Sequence, residues 1–229
     1  MNSEKGFIIH YLKYGENDVI AHCFTENSGF KAFFLKNILG KNSKKKAFLL
    51  PFCELDFQLN SKNKNASIQS ILKLELIEAK DIYTDIKSNT IVFFVSDILN
   101  QLLRNEYQNT KIYQEINVFL EALQLNNYQA HLIFLVQIIK IQGVAPLLQE
   151  NSFLNPESGT FEATITHHLF NYETSNIWRK ILTDQNPYHI ELTHSERRAF
   201  LDSLLVYFHY HISDFKNPIS LEVIQEIFE

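Results

Sequence analysis

The stretch Pro51-Phe-Cys-Glu-Leu-Asp-Phe-Gln-Leu59 decides the fold. Cys53, Leu55, Phe57 and Leu59 interleave with Glu54, Asp56 and Gln58, a period of two that sends one face of a strand into a core and the other into water. Upstream, Phe7 to Tyr14 is rich in Ile, Phe and Tyr and runs into a turn at Gly15 and Asn17. Val19, Ala21, Cys23 and Thr25 then alternate with Ile20, His22 and Phe24, Asn27-Ser28-Gly29 makes a hairpin turn, and Phe30 to Leu35 resumes the β pattern. Downstream, Ser61-Lys-Asn-Lys-Asn65 is a polar turn, and Ile68 to Ile77 reads as a fifth strand with Ile68, Leu72, Leu74 and Leu76 on one face. No helical period in this stretch is long enough to cover a flat sheet. Five such strands predict a small closed barrel over residues 1–80, of which the OB-fold is the commonest form, and closure removes edges that would otherwise pair with other chains.

From about residue 83 the apolar period changes to that of a helix. Ile91, Phe94, Val95, Ile98 and Leu102 form one stripe, and Ile112, Ile116, Phe119, Leu120 and Leu123 a second. Leu132, Leu135, Ile138 and Ile139 form a third, which Gly143 ends. Pro146 to Glu162 reads as irregular, with turn chemistry at Asn155-Pro156-Glu-Ser-Gly159. Short helices are expected over Ala163–Tyr172, Ser175–Leu182 and Ser220–Phe228. Thr193-His-Ser-Glu196 is a capping-box signature ahead of a helix whose buried face is Phe200, Leu204, Phe208 and Ile212. The expected class is therefore α+β: an N-terminal five-stranded OB-fold β-barrel over residues 1–80 followed by an all-helical domain over residues 81–229.

Charge divides the same way. Residues 1–80 hold twelve Lys and eight acids, net +4, and the remainder holds nine Lys or Arg and eighteen acids, net -9. A polyanion is therefore expected to meet the first domain. Lys36, Lys41, Lys44, Lys45 and Lys46 follow one another with no acid among them, and Lys31, Lys62 and Lys64 would widen the patch. Lysine suits sequence-independent phosphate contact because it is a point charge on a flexible stem. Taken alone, such a run reads rather as a solvated loop; on a barrel beside an acidic second domain it reads as a binding surface. Bases could stack on Phe33 or Phe34, and alternation sends one of the two into the core without saying which.

Other chemistries find little support. No apolar run approaches the roughly 18 residues of a membrane span, and the start of the chain lacks the pattern of a signal peptide, so a cytoplasmic protein is expected. Cys23 and Cys53 read as buried thiols, too few for a zinc site of their own. His167-His168 and His209-x-His211 lack the spacing of helical metal ligands, and no metal or other cofactor is expected. There is no Gly-rich phosphate loop, nucleophile elbow or Cys–His pair, so no catalytic residue is assigned and the protein is not expected to be an enzyme.

Several segments carry a resemblance to a known family. They are Tyr14-Gly-Glu-Asn-Asp18, Phe24-Thr-Glu26, Gly29, Leu35-Lys36, Gly40-Lys41-Asn-Ser43-Lys-Lys-Lys46 and Leu50-Pro51-Phe52. With the later change to helices and the closing Ile219-Ser220-Leu221-Glu222-Val223-Ile224, their order and spacing resemble the RecO family of recombination mediators. Many members carry a four-cysteine zinc element after a Gly-x-x-Pro step. Gly143-Val-Ala-Pro146 is present here, but the cysteines are not, so the chain looks like a zinc-less branch with a degenerate, metal-free finger at about 146–170. Leu147, Leu148, Phe153, Leu154 and Phe161 are expected to hold that region by packing.

The resemblance implies DNA repair and homologous recombination. It implies binding of single- and double-stranded DNA, strand annealing, help to RecA loading together with RecR, and contact with the acidic C-terminal tail of single-stranded DNA-binding protein. It also implies a cytoplasmic, nucleoid-associated location. A Phe-ended acidic tail needs an apolar pocket rimmed by cations, for which Arg104, Arg197 and Arg198 are the candidates. The competing reading is a protein-interaction adaptor whose barrel is scaffold only.

Overall fold

A computed structural model describes residues 3–59, 66–78 and 80–227. Five strands form a closed barrel: β1 (Ser3–Tyr14), β2 (Asp18–Thr25), β3 (Gly29–Leu35), β4 (Glu54–Leu59) and β5 (Ile68–Glu78). Around the barrel the order is β1-β2-β3-β5-β4, antiparallel except for the parallel pair β3–β5 that closes it. The interior is lined by Ile8, Val19, Ala21, Cys23, Phe33, Leu35, Leu55 and Phe57, all 0–2% exposed. Phe33 and Phe57 stack across this core with ring centroids 4.4 Å apart. A short 3-10 helix, Lys46–Leu49, connects β3 to β4 and buries Leu49.

β5 departs from its expected pattern. Only Leu74 is buried, while Ile68 is 41%, Leu72 69% and Leu76 38% exposed. The β4–β5 register slips between Gln58 and Leu59, where Leu59 pairs with Ile71 although Gln58 pairs with Lys73. The extra residue shifts which side chains face inward, so Ile71 rather than Leu72 joins the core.

The chain divides into two compact units, Met1–Gln114 and Glu115–Glu229. The first therefore reaches beyond the barrel. Its helix α1 (Ile86–Leu102) is N-capped by Asp85, whose carboxylate accepts from the Ser88 amide at 2.8 Å. Ile91, Val95 and Ile98 are fully buried in it, and Ser96 Oγ donates to the Ile9 carbonyl of β1. The first turn of α2 (Thr110–Gln124) belongs here too: Tyr113 lies 4.8 Å from the Phe7 ring and donates its hydroxyl proton to Glu54 at 2.7 Å.

The second unit contains the rest of α2, then α3 (Ala130–Ile141), α4 (Tyr172–Thr183), α5 (His194–His211) and α6 (Leu221–Ile227). Phe119 of α2 stacks on Phe134 of α3 at 4.4 Å. Trp178 of α4 packs on Phe200 and Tyr207 of α5, each at 5.1 Å, and its indole N–H donates to Ser203. The Thr193/Glu196 capping box is complete. Phe200, Leu204 and Phe208 are fully buried as read, whereas Ile212 is the C-cap and only half-buried.

Three expectations for the segment after α3 are corrected. The stretch Pro146–Glu162 is not irregular throughout, because β6 (Phe153–Asn155) and β7 (Thr160–Glu162) form a hairpin around the Asn155–Gly159 turn. Their length, three residues each, left too little alternation to read. No helix forms over 163–171, and α4 begins at Tyr172, capped by Asn171. The hairpin is held by Leu154 and Phe161, both fully buried, while Leu147 and Leu148 are 68% and 46% exposed and do not pack it. Main-chain and side-chain bonds replace them: Leu147 N–H reaches the Gly159 carbonyl, and His211 donates to the Pro156 carbonyl.

Candidate nucleic-acid interface

The lysine-rich segment is pinned at both ends and open between. Ile38 and Leu49, each 4% exposed, enter the barrel core and fix its roots. The Asn37 amide donates to Asp18 at 2.6 Å and the Leu39 amide to the Asn17 carbonyl, tying the segment to the β1–β2 turn. Gly40, Ser43 and Lys45 are linked by the bonds Ser43 N–H to Gly40 O and Lys45 N–H to Ser43 Oγ. Lys36, Lys41, Lys44, Lys45 and Lys46 are all exposed. Among the described residues, Lys45 alone of the five spends a donor inward, to the Leu74 carbonyl at 2.9 Å. Among the described residues none of the five meets a carboxylate: the ion pairs of this unit are Lys73–Glu75 and Lys80–Glu78. Their charge is therefore available to an external anion.

The ambiguity between Phe33 and Phe34 resolves. Phe33 is the core residue, and Phe34 lies half-buried on the outer face. The Phe34 ring meets Tyr14 edge-on at 5.7 Å and 87°, and Tyr14 is 58% exposed. Leu12, Ile20 and Phe34 are register partners across β1, β2 and β3, so this outer face carries an apolar row beside Lys36. The sequence does not mark Tyr14 as an aromatic platform, because it reads as the end of a strand. The cross-strand register alone brings it to Phe34.

Lys31 sits apart from the loop lysines. It lies near the start of β3, half-buried, and lines a cleft with Phe30, Ser67, Gln69 and Arg104. Arg104 is thus beside a barrel lysine. Lys62 and Lys64 lie outside the described residues.

Arg197 and Arg198 lie in the second unit, at the N-terminal end of α5. They border a groove with His194, floored by Leu132, Leu201 and Ile224. Arg197 donates to the Leu192 carbonyl at 2.7 Å, which holds its guanidinium near the helix start. His131, at the bottom, is buried, and its Nδ1–H donates to the Tyr128 carbonyl at 2.7 Å. Desolvation pushes its pKa down to about 4, so the ring is neutral near pH 7.

Burial also perturbs other titratable groups. Burial raises both thiols, Cys53 to about 11 with help from Glu54, and Cys23 well above its usual range, so neither is a thiolate near neutrality. His10 and His22 are opposed in the β1–β2 ladder with rings 6.3 Å apart, and burial beside His22 lowers the pKa of His10. Among the described residues no three His, Cys, Asp or Glu side chains are grouped to hold a metal ion. Nor is any helix among them long and apolar enough to cross a membrane.

Comparison with known proteins gives consistent matches over both parts of the chain. Residues 1–80 match the family model described as recombination protein O N terminal, and residues 83–217 that described as recombination protein O C terminal. Curated proteins named DNA repair protein RecO align with 98% of this chain and 98% of their own length. Those of Flavobacterium psychrophilum and Flavobacterium johnsoniae are each 28% identical, and that of Christiangramia forsetii is 26% identical.

Proposed function

From the premise that the chain belongs to the recombination protein O family of DNA repair and recombination, we propose that it is a non-enzymatic mediator that holds DNA on its barrel and protein partners on its helical unit. It binds single- and double-stranded DNA, anneals complementary strands and, with RecR, helps RecA onto single strands, working at the nucleoid. The observation that carries this reading is the pinned loop with five exposed lysines unmatched by carboxylates, beside the Phe34–Tyr14 rings. Each lysine that neutralises a phosphate releases a condensed counterion. The same neutralisation lowers the repulsion between two strands brought together. The rings would add base stacking without sequence preference, about 1–3 kcal/mol per base.

The groove on the second unit supports the partner half of the reading. An apolar floor of Leu132, Leu201 and Ile224 under Arg197 and Arg198 suits a peptide with a terminal aromatic side chain and acidic neighbours. We assign it the C-terminal tail of single-stranded DNA-binding protein.

The deciding measurement is a titration of labelled single-stranded DNA at two salt concentrations. Replacing Lys44, Lys45 and Lys46 together by Ala should weaken binding and flatten the salt dependence by roughly 2, at about 0.7 per phosphate. Unchanged affinity and slope would remove the loop from the interface. A protein that captures partners but shows no DNA binding even at low salt would be the adaptor instead.

A further inference from the structure

The chain leaving α1 is clamped onto the start of β3. The Phe30 amide donates to the Glu106 carbonyl at 3.0 Å. Gly29, at φ +72°, lies so close to Tyr107 that a Cβ there would stand 2.3 Å from its carbonyl carbon and oxygen. Only glycine fits, for both its conformation and the missing side chain. Leu103, fully buried, anchors the same segment from below, and Asn109 donates to the Glu106 carboxylate at 3.1 Å. This seam fixes the position of Arg104, which is exposed and shares a cleft of about 540 Å³ with Lys31 and Gln69. No carboxylate lines that cleft among the described residues. Tyr107, 84% exposed, gives the clamped segment a ring open to solvent.

We infer that this cleft is a second phosphate-binding site of the barrel, taking the sugar–phosphate chain of a single strand through Arg104 and Lys31. The inference rests on the reading of the barrel as a DNA-binding unit and extends it away from the lysine loop. It also moves Arg104 from the partner surface to the nucleic-acid surface. Geometry favours a nucleic acid over an acidic peptide. Lys31 shares its strand face with Phe33 and Leu35, so this cleft is separate from the outer Phe34–Lys36 row. Within it Lys31 and Arg104 meet beside Phe30 with no carboxylate between them, and the open Tyr107 ring on the adjoining segment offers a face on which a base can stack. Arg104 supplies a planar fork that can grip one phosphate with two parallel bonds, which a lysine cannot.

The test uses the full chain and a labelled short oligothymidylate at several salt concentrations. Arg104→Ala and Lys31→Ala should each weaken binding several-fold and reduce the salt slope by about 0.7. Arg104→Lys should restore the slope but only part of the affinity. Gly29→Ala should reproduce the Arg104→Ala loss while keeping every cation, because it displaces the Tyr107 segment. Thermal unfolding of the exposed-site variants, Arg104→Ala and Arg104→Lys, checks that they remain folded. If both alanine variants bind like the unsubstituted chain while the Lys44/Lys45/Lys46 variant is weakened, the cleft is no phosphate site although the DNA reading stands. If Arg104→Ala loses an acidic, Phe-ended peptide and keeps oligothymidylate, Arg104 is a partner contact and the inference is overturned. Absence of binding by the unsubstituted chain at low salt would instead remove the DNA reading itself.

Discussion

The guanidinium of Arg179 lies over the ring of Phe161, 4.1 Å from its centroid, and donates to the carbonyls of Gln149 and Asn151. One cation on α4 therefore ties down both the hairpin strand β7 and the loop that enters the hairpin. Arg179→Ala should cost about 2 kcal/mol, combining a cation–π contact with charge-assisted hydrogen bonds. Arg179→Lys should recover little, since an ammonium lacks the flat face and the fork. Hydrogen exchange would show the loss as faster exchange across residues 147–162, with α5 unchanged. Equal protection in the alanine variant would mean that Leu154 and Phe161 suffice.

The adjacent phenylalanines of β3 should separate stability from binding. Phe33→Ala opens a cavity against Phe57 and should cost roughly 3–5 kcal/mol, measured by denaturant unfolding. Phe34→Ala should leave stability nearly unchanged and lower affinity for single-stranded DNA by about 1–3 kcal/mol. The reverse assignment of losses would place the binding face on the wrong side of the strand.

His131 makes the second unit sensitive to acid. Its folded pKa of about 4 lies below the ordinary 6.5, so as pH falls the unfolded chain takes up a proton first. The stability from keeping this ring neutral is fully present above about pH 6.5 and is lost as pH falls toward 4, on the order of 3 kcal/mol. His131→Gln keeps a donor for the Tyr128 carbonyl and removes the titration. Its unfolding free energy should fall less steeply between pH 6.5 and 4 than that of the unsubstituted chain. Parallel curves would show that other groups set the acid limit.

The two α5 arginines should behave differently from the barrel cations. Arg198→Ala should weaken an acidic, Phe-ended peptide and leave oligothymidylate binding intact. Arg197→Ala should do the same and also lower stability by about 1 kcal/mol or more, because it removes the bond to the Leu192 carbonyl. Calorimetry with the peptide and a DNA titration, run on each variant, separate the two surfaces.

Thr193→Ala should cost about 1 kcal/mol by opening the capping box at the start of α5. A thermal midpoint unchanged within error would mean that the helix start is held by Arg197 and tertiary packing instead.

Much of the barrel is legible from its residues because a half-buried strand must alternate, and Cys53 to Leu59 does so without interruption. The long helical stripes were legible for the same reason at a different period. The hairpin Phe153–Asn155/Thr160–Glu162 was not, since three residues cannot display a period of two. The inward face of β5 departs from simple alternation because a register slip shifts it without leaving a mark in composition. For the candidate site, the lysine run and its exposure could be anticipated. The pairing of Phe34 with Tyr14, and of Lys31 with Arg104, could not.

By itself the sequence determined which segments alternate, which wind into helices and where positive charge accumulates, because these depend on neighbours a few residues apart. Only the tertiary structure decided which phenylalanine faces water and which arginine stands beside Lys31. The first depends on strand register, and the second on a glycine that lets two backbones more than seventy positions apart touch, neither of which a local pattern encodes.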